Sequence, residues 1–312
     1  MEKTIAVIGA GLVGRAWAMV FARAGWRVRV HDRDAGQLRA AQSYIATSLG
    51  EQAEFGLVAD PGAARARASY VAALDEALAG VDWVQESLPE TLEAKREAFA
   101  AFDRLAPADA VLASSTSAIP ASQFTEGLPG RARCLVAHPV NPPHLVPIVE
   151  LCGAPWTSPV VIERAQRVYA EVGQVPIVVL REIDGFILNR LQGALLSEAM
   201  RLVEEGYVSP QDLDKTVCDG LGLRWSFMGP LATIELNAPG GVADYCARYG
   251  GGLRRLAATP APPDVWNAAG VAKVAAALGP PASPSEIDAR MRWRDRRLMA
   301  LAAHKREQSD ST

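Results

Sequence analysis

Short apolar runs alternate with amphipathic stretches over the first 180 residues of this chain. The runs IAVIG (5–9), RVRVHD (27–32), ASYVAAL (68–74), WVQES (83–87), AVLASS (110–115), RCLVAHP (133–139), PIVELC (147–152) and PIVVL (176–180) have strand length. Between them, apolar positions recur at helical spacing, most clearly over 12–24, 34–53, 92–105 and 159–172. Strands alternating with crossover helices predict an α/β fold with a doubly wound, mainly parallel sheet. The last strands are joined by short connections, so antiparallel additions are expected there.

After Arg181 the period changes. Asp184 is placed to cap a helix running from Gly185 to about Glu205 and stopped by Gly206. Ile187, Leu188, Leu191, Leu195, Ala199, Leu202 and Val203 give it one broad apolar face. Ser209, Pro210 and Asp212 supply a cap, a first-turn proline and an acidic third position for the next helix. The pattern stays helical from there, with proline-rich connections at 259–263 and 280–284. Residues 1–183 are therefore expected to form the sheet domain and 184–312 an all-α domain. These helices are more apolar than so small a domain needs, and burial against a second copy, a twofold homodimer, is the simplest outcome.

Composition narrows the function. The formal net charge of −3 argues against nucleic acid or an anionic membrane surface as main partner. No apolar run approaches the roughly 18 residues a spanning helix needs. A strand beginning at Thr4 leaves no room for a signal peptide, and a cytoplasmic protein is expected. Cys134, Cys152, Cys218 and Cys246 have no metal-ligand or redox spacing and read as buried free thiols. No metal site is expected.

Two constellations carry chemistry. The first is Gly9-x-Gly11-x-x-Gly14, enclosing Leu12 and Val13, which follows a strand and opens a helix. The first glycine makes the tight turn, the second lets backbone approach a pyrophosphate, and the third packs helix on strand. Asp32 ends the next strand, where a carboxylate can hold the adenosine ribose hydroxyls and repel a 2′-phosphate. A Rossmann-type domain binding NAD rather than NADP is expected. Arg33 beside it can soften that preference or stack on the adenine.

The second constellation is Ser117, His138 and Glu150, on consecutive segments that read as strand ends. A hydroxyl, an imidazole and a carboxylate orienting that imidazole are what proton removal from an alcohol requires. The other histidines are weaker candidates. His31 lies in a strand beside Asp32, His304 lies in the polar tail, and His144 sits in a proline-flanked loop without a partner at recognisable spacing. With a dinucleotide to take the hydride, the chain reads as an alcohol dehydrogenase.

From IAVIGAGLVGRAWAM through QESLPETLEAK, SSTS, VAHPVNPP, GFILNRLQ and EAMRLVEEGYVSPQDLD to GLGLRWSFMGP and RWRDRRLM, the chain resembles the 3-hydroxyacyl-CoA dehydrogenase superfamily. Within it, the likeness is strongest to the branch of lambda-crystallin and L-gulonate 3-dehydrogenase. The resemblance implies His138 as general base, Glu150 as its partner, and Ser117 and Asn189 as groups bonding the reacting oxygen. It implies Glu90 and Lys95 at the nicotinamide ribose side, and Ser87, Ser115 and Asn141 at cofactor-lining positions. It also implies pairing of two copies through the helical domain.

One departure bears on substrate. Enzymes of the superfamily that act on the CoA thioester usually carry asparagine where this chain has Ser115, and lack an arginine like Arg224. Residues 34–68 contain no lysine to clamp a CoA phosphate. A guanidinium suits a small free carboxylate, which it grips in a bidentate fork. NAD-dependent oxidation of a small 3-hydroxy acid is therefore expected, with L-gulonate first. L-carnitine, 3-hydroxybutyrate and a 3-hydroxyacyl-CoA stand as alternatives. A non-catalytic, crystallin-like or sensor role has no physical reason to retain Ser117, His138, Glu150 and Asn189 together.

Overall fold

The computed structural model of the protein describes residues 3–308. Eight strands form one sheet: β1 (Thr4–Ile8), β2 (Arg27–His31), β3 (Ala68–Val71), β4 (Trp83–Glu86), β5 (Val111–Ser114), β6 (Cys134–Pro139), β7 (Ile148–Gly153) and β8 (Val175–Val179). Their spatial order is β3-β2-β1-β4-β5-β6-β7-β8. All neighbours are parallel except β6 and β7, so the antiparallel addition falls at that hairpin. The central strands are buried on both faces, which is why they read as continuous apolar runs rather than as alternating ones.

Each face of the sheet has its own core. On one, helices Leu12–Arg23, Ala35–Glu54 and Pro159–Glu171 bury Trp17, Phe21 and Tyr169, with the Trp17 and Tyr169 rings 5.4 Å apart. On the other, helix Leu92–Leu105 and its neighbours bury Phe99, Phe102, Phe124 and Phe186.

The chain divides into two compact units, residues 1–190 with 285–312, and residues 191–284. The sequence pattern alone had assigned everything after 183 to one helical domain. The final helix, Pro284–Glu307, instead lies against the sheet unit. Met299 is buried, Arg296 pairs with Glu54 at 3.3 Å and covers Phe55, and Arg306 reaches the Gly56 carbonyl. Helical periodicity marks a helix but not which body it joins.

The helix expected from Gly185 begins at Leu188 and runs to Glu204, without Asp184 as its cap. Gly185 and Phe186 both adopt positive φ, 74° and 47°, which turns the chain tightly before the first helical residue. The Ser209 cap forms as expected, its hydroxyl accepting from the Asp212 amide. Taken by itself, the unit 191–284 buries little. Leu231, Leu236 and Leu256 are 72, 71 and 72 % exposed, and Leu191 is 65 % exposed. Cys134 and Cys152 are buried, and burial pushes both thiols up to about 12. Cys218 and Cys246 correct the expectation of four buried thiols: both are exposed, because their unit has so small an interior. No helix among the described residues is long and apolar enough to cross a membrane.

Candidate active site

Strand connections reverse direction between β1 and β4, and a cleft opens at the carboxyl ends of those strands. A cavity of about 680 Å³ lies there, lined by Gly9, Gly11, Leu12 and Val13 from the first turn, by Asp32 and Arg33 after β2, and by Ser87 after β4. Gly9 has φ +101°, and a Cβ on it would lie 2.5 Å from the Ser87 carbonyl oxygen. A Cβ on Gly14 would lie 1.8 Å from the Gly9 carbonyl oxygen, so helix and turn touch backbone to backbone. Gly11 faces open space and precedes helix Leu12–Arg23 without a side-chain cap, leaving the first amides free for an anion. These residues fit a dinucleotide. Asp32 accepts the amides of Ala10 and Asp34, each at 2.9 Å, which fixes its carboxylate at the rim. Arg33 is exposed and paired with Glu97 at 3.0 Å.

His138 and Glu150 are directly opposed in the antiparallel register of β6 and β7. Both are buried, and Nδ1 of His138 lies 2.8 Å from Oε2 of Glu150. A carboxylate there accepts the Nδ1 proton, so the neutral ring carries its lone pair on Nε2. Phe186 packs on the imidazole with centroids 5.6 Å apart. The second oxygen of Glu150 accepts the amides of Ile187 and Leu188 at 2.9 and 3.0 Å. Glu150 thus orients the ring and also satisfies the first amides of the helix for which Asp184 is the expected cap.

That helix carries Asn189, whose side-chain amide donates to the Ser117 carbonyl at 2.8 Å. Ser117 is exposed just beyond β5. Its loop is tied down by Glu90, one oxygen of which accepts the Thr116 hydroxyl and the amides of Ser117 and Ala118. Burial pushes the Glu90 carboxyl up, but the Thr116 bond, the Lys95 charge and the two amides outweigh it and hold it below the ordinary range. Glu90 is therefore an anchor for the loop that presents Ser117, a task its sequence position did not reveal.

Lys95 is 1 % exposed and committed to protein acceptors: Glu86 at 2.8 and 3.0 Å, the Leu88 carbonyl at 3.3 Å and Glu90 at 3.5 Å. Glu86 also accepts from the Ser114 hydroxyl at 2.5 Å. Sequence reading missed Glu86 and Thr116. The available signal was a carboxylate inside the apolar run WVQES, which needs a buried partner. Ser115 turns inward, its hydroxyl within bonding distance of Trp17, Gln85 and Ser87. Asn141 is exposed in the loop after β6. In the other unit, Arg224 lies on the short helix Gly222–Trp225, exposed and with no hydrogen bond or ion pair to its guanidinium among the described residues.

His144 stands apart from this cluster. It is 3 % exposed, with neither ring nitrogen bonded among the described residues. Burial, then the charges of Arg23, Arg15 and Arg294, push its pKa down to about 3. An unfolded histidine takes its proton near pH 6.5. The stability this neutral ring contributes is therefore complete above that pH and is lost as pH falls toward 3, by up to about 1.4 kcal/mol per pH unit. Urea melts of His144→Phe between pH 6.5 and 4 should show a shallower loss of stability than the native chain. Equal slopes would mean that the ring protonates in place.

The comparisons with known proteins agree with this frame. Residues 4–183 match the NAD-binding domain of 3-hydroxyacyl-CoA dehydrogenase, and residues 185–274 match its C-terminal domain. Lambda-crystallin of Oryctolagus cuniculus is 42 % identical over 308 residues, covering 97 % of this chain and 96 % of that one. L-carnitine dehydrogenase of a Pseudomonas species is 37 % identical over 253 residues, covering 81 % of this chain and 78 % of that one. A solved NAD-dependent dismutase, 5-formyl-3-hydroxy-2-methylpyridine 4-carboxylic acid 5-dehydrogenase, superposes with TM-score 0.85 at 26 % identity, covering 99 % of this chain and 100 % of that one. With both of its domains matched in order and a glycine turn shaped for NAD, the chain belongs to the 3-hydroxyacyl-CoA dehydrogenase family, whose members oxidise hydroxyl groups with that cofactor.

Proposed function

We propose that this protein oxidises the 3-hydroxyl of a small free hydroxy acid to the ketone, with L-gulonate the first substrate to try. The observation that carries the reading is the His138–Glu150 pair, which leaves Nε2 of a buried imidazole as the proton acceptor. His138 takes the hydroxyl proton, and Glu150 stabilises the imidazolium that results. NAD, when bound, supplies the acceptor for the hydride. The Ser117 hydroxyl and the second amide hydrogen of Asn189 hold the reacting oxygen as it becomes a carbonyl.

Two features favour a free acid over a thioester. Arg224 is an exposed guanidinium with no protein acceptor among the described residues. One solved neighbour that matches over its full length, at TM-score 0.85, is named for a substrate that is itself a carboxylic acid. A second reading, L-carnitine, is favoured by the L-carnitine dehydrogenase relatives and by exposed Trp225 and Phe227, which can face a quaternary ammonium. A spectrophotometric screen of NADH formation with L-gulonate, L-carnitine, 3-hydroxybutyrate and 3-hydroxybutyryl-CoA separates these readings.

Arg224→Met should raise KM for the free acid by about 10- to 100-fold, the worth of a hydrogen bond between charged groups. Arg224→Lys should recover only part, because an ammonium cannot reproduce the fork. An unchanged KM for L-gulonate returns the advantage to the thioester.

The exposed leucines of the helical unit support a homodimer. Each such side chain is worth about 1.5–3 kcal/mol when fully buried, and a second copy offers the same face. Sedimentation equilibrium at micromolar concentration should give twice the chain mass; a monomer there removes the dimer.

A further inference from the structure

A line of buried polar groups runs from the interior of the sheet unit to the wall of the cofactor cavity. Tyr169 is fully buried, and its hydroxyl lies 2.5 Å from Oε1 of Gln85, its one hydrogen-bond acceptor among the described residues. A buried hydroxyl needs an acceptor. Gln85, itself fully buried, must therefore turn its carbonyl toward Tyr169 and its amide nitrogen toward Ser115, where Nε2 and Oγ are 2.8 Å apart. Nε1 of Trp17, which can only donate, is 3.1 Å from the same oxygen.

A serine hydroxyl has two acceptor sites and one proton. Both acceptor sites of Ser115 are filled, so its proton goes to the remaining neighbour, Oγ of Ser87, at 3.1 Å. Ser87 accepts from within, and its own proton is left for the cavity it lines beside Gly9.

We propose that Ser87 is a hydrogen-bond donor of fixed direction to a ribose or phosphate oxygen of the bound dinucleotide. Tyr169, Gln85 and Ser115 are positioning residues that set that direction from behind. Without the Tyr169 hydroxyl the chain is free to reverse. Gln85 can then flip, Ser115 donates to it, Ser87 donates inward, and a lone pair meets the cofactor oxygen instead of a proton. The proposal rests on NAD binding and is independent of which hydroxy acid is oxidised.

The test is a double-mutant cycle on NAD affinity, read by calorimetric titration of the intact protein. Ser87→Ala should weaken NAD binding about tenfold, the loss of one good hydrogen bond, and Ser87→Thr, which keeps the hydroxyl, should retain most of the affinity. Tyr169→Phe keeps the ring packed against Trp17 and Trp83 and should weaken binding several-fold with Ser87 present. In the Ser87→Ala background the same change should have no further effect, because Tyr169 acts only through that hydroxyl. Equal losses in both backgrounds would make Tyr169 a packing residue and overturn the relay. So would an unchanged Kd in either single variant.

Discussion

His138→Gln should lower turnover by about 100-fold or more while NAD affinity stays within about a factor of two. The imidazole is on β6, and none of the residues lining the dinucleotide cavity belongs to that strand. Replacing His138 therefore leaves the cofactor cradle intact. Glutamine keeps the volume and can still bond Glu150, so stability should change little. Stopped-flow measurement of hydride transfer, with NAD titration alongside, checks both halves. Near-native turnover in this variant would move the base elsewhere, and neither His31 nor His144 is placed to replace it. His31 is bonded through Nδ1 to the Val71 carbonyl, and His144 is held neutral in the interior.

Glu150→Ala should be worse than His138→Gln, and in a different way. Turnover should fall by a similar factor, because the ring loses the acceptor that fixes its tautomer. Stability should fall as well, by about 2–4 kcal/mol, since the amides of Ile187 and Leu188 lose their acceptor and the interior gains a cavity. Denaturant melts separate the two effects. A Glu150→Ala variant as stable as the native chain would show that water or Asp184 caps the helix instead. Glu150→Gln, which can still accept those amides, should recover stability more than turnover.

The two expectations differ because the sequence announces His138 and Glu150 only as a pair. Twelve residues apart on two strand-like runs, they meet only because β6 and β7 pair antiparallel with that register. A shift of one residue would put them on opposite faces of the sheet. The second task of Glu150, holding the start of helix Leu188–Glu204, could not be read from its surroundings in the chain. Asp184 had the better local credentials as a cap, being a short acidic residue just ahead of an apolar periodic run. Positive φ at Gly185 and Phe186 moved the first helical turn three residues on, out of its reach.

Lys95 and Ser115 were legible as residue types but not as environments. A lysine four residues after a threonine cap reads equally as a solvated helix charge or as a ligand to a cofactor. Only the packing of helix Leu92–Leu105 over β4 and β5 buries its ammonium between Glu86 and Glu90. The resemblance implies Ser115 only as a cofactor-lining position. Its contacts with Trp17 and Gln85 arise because residues 98 and 30 positions away converge at the same point.

By itself the sequence determined what depends on near neighbours. These are the eight strands, the glycine turn with its Gly9–Gly14 contact, the Ser209 cap and the α/β class, since alternation, period and steric need are all written within a few residues. Tertiary structure decided what depends on distance along the chain. It joined the final helix to the sheet unit, matched His138 to Glu150, gave Glu90 the loop that carries Ser117, and left the leucines of the helical unit exposed on a single chain. Burial, register and the partner of a buried polar group are properties of the packed molecule, because each is fixed by atoms that residues far apart in sequence bring to one place.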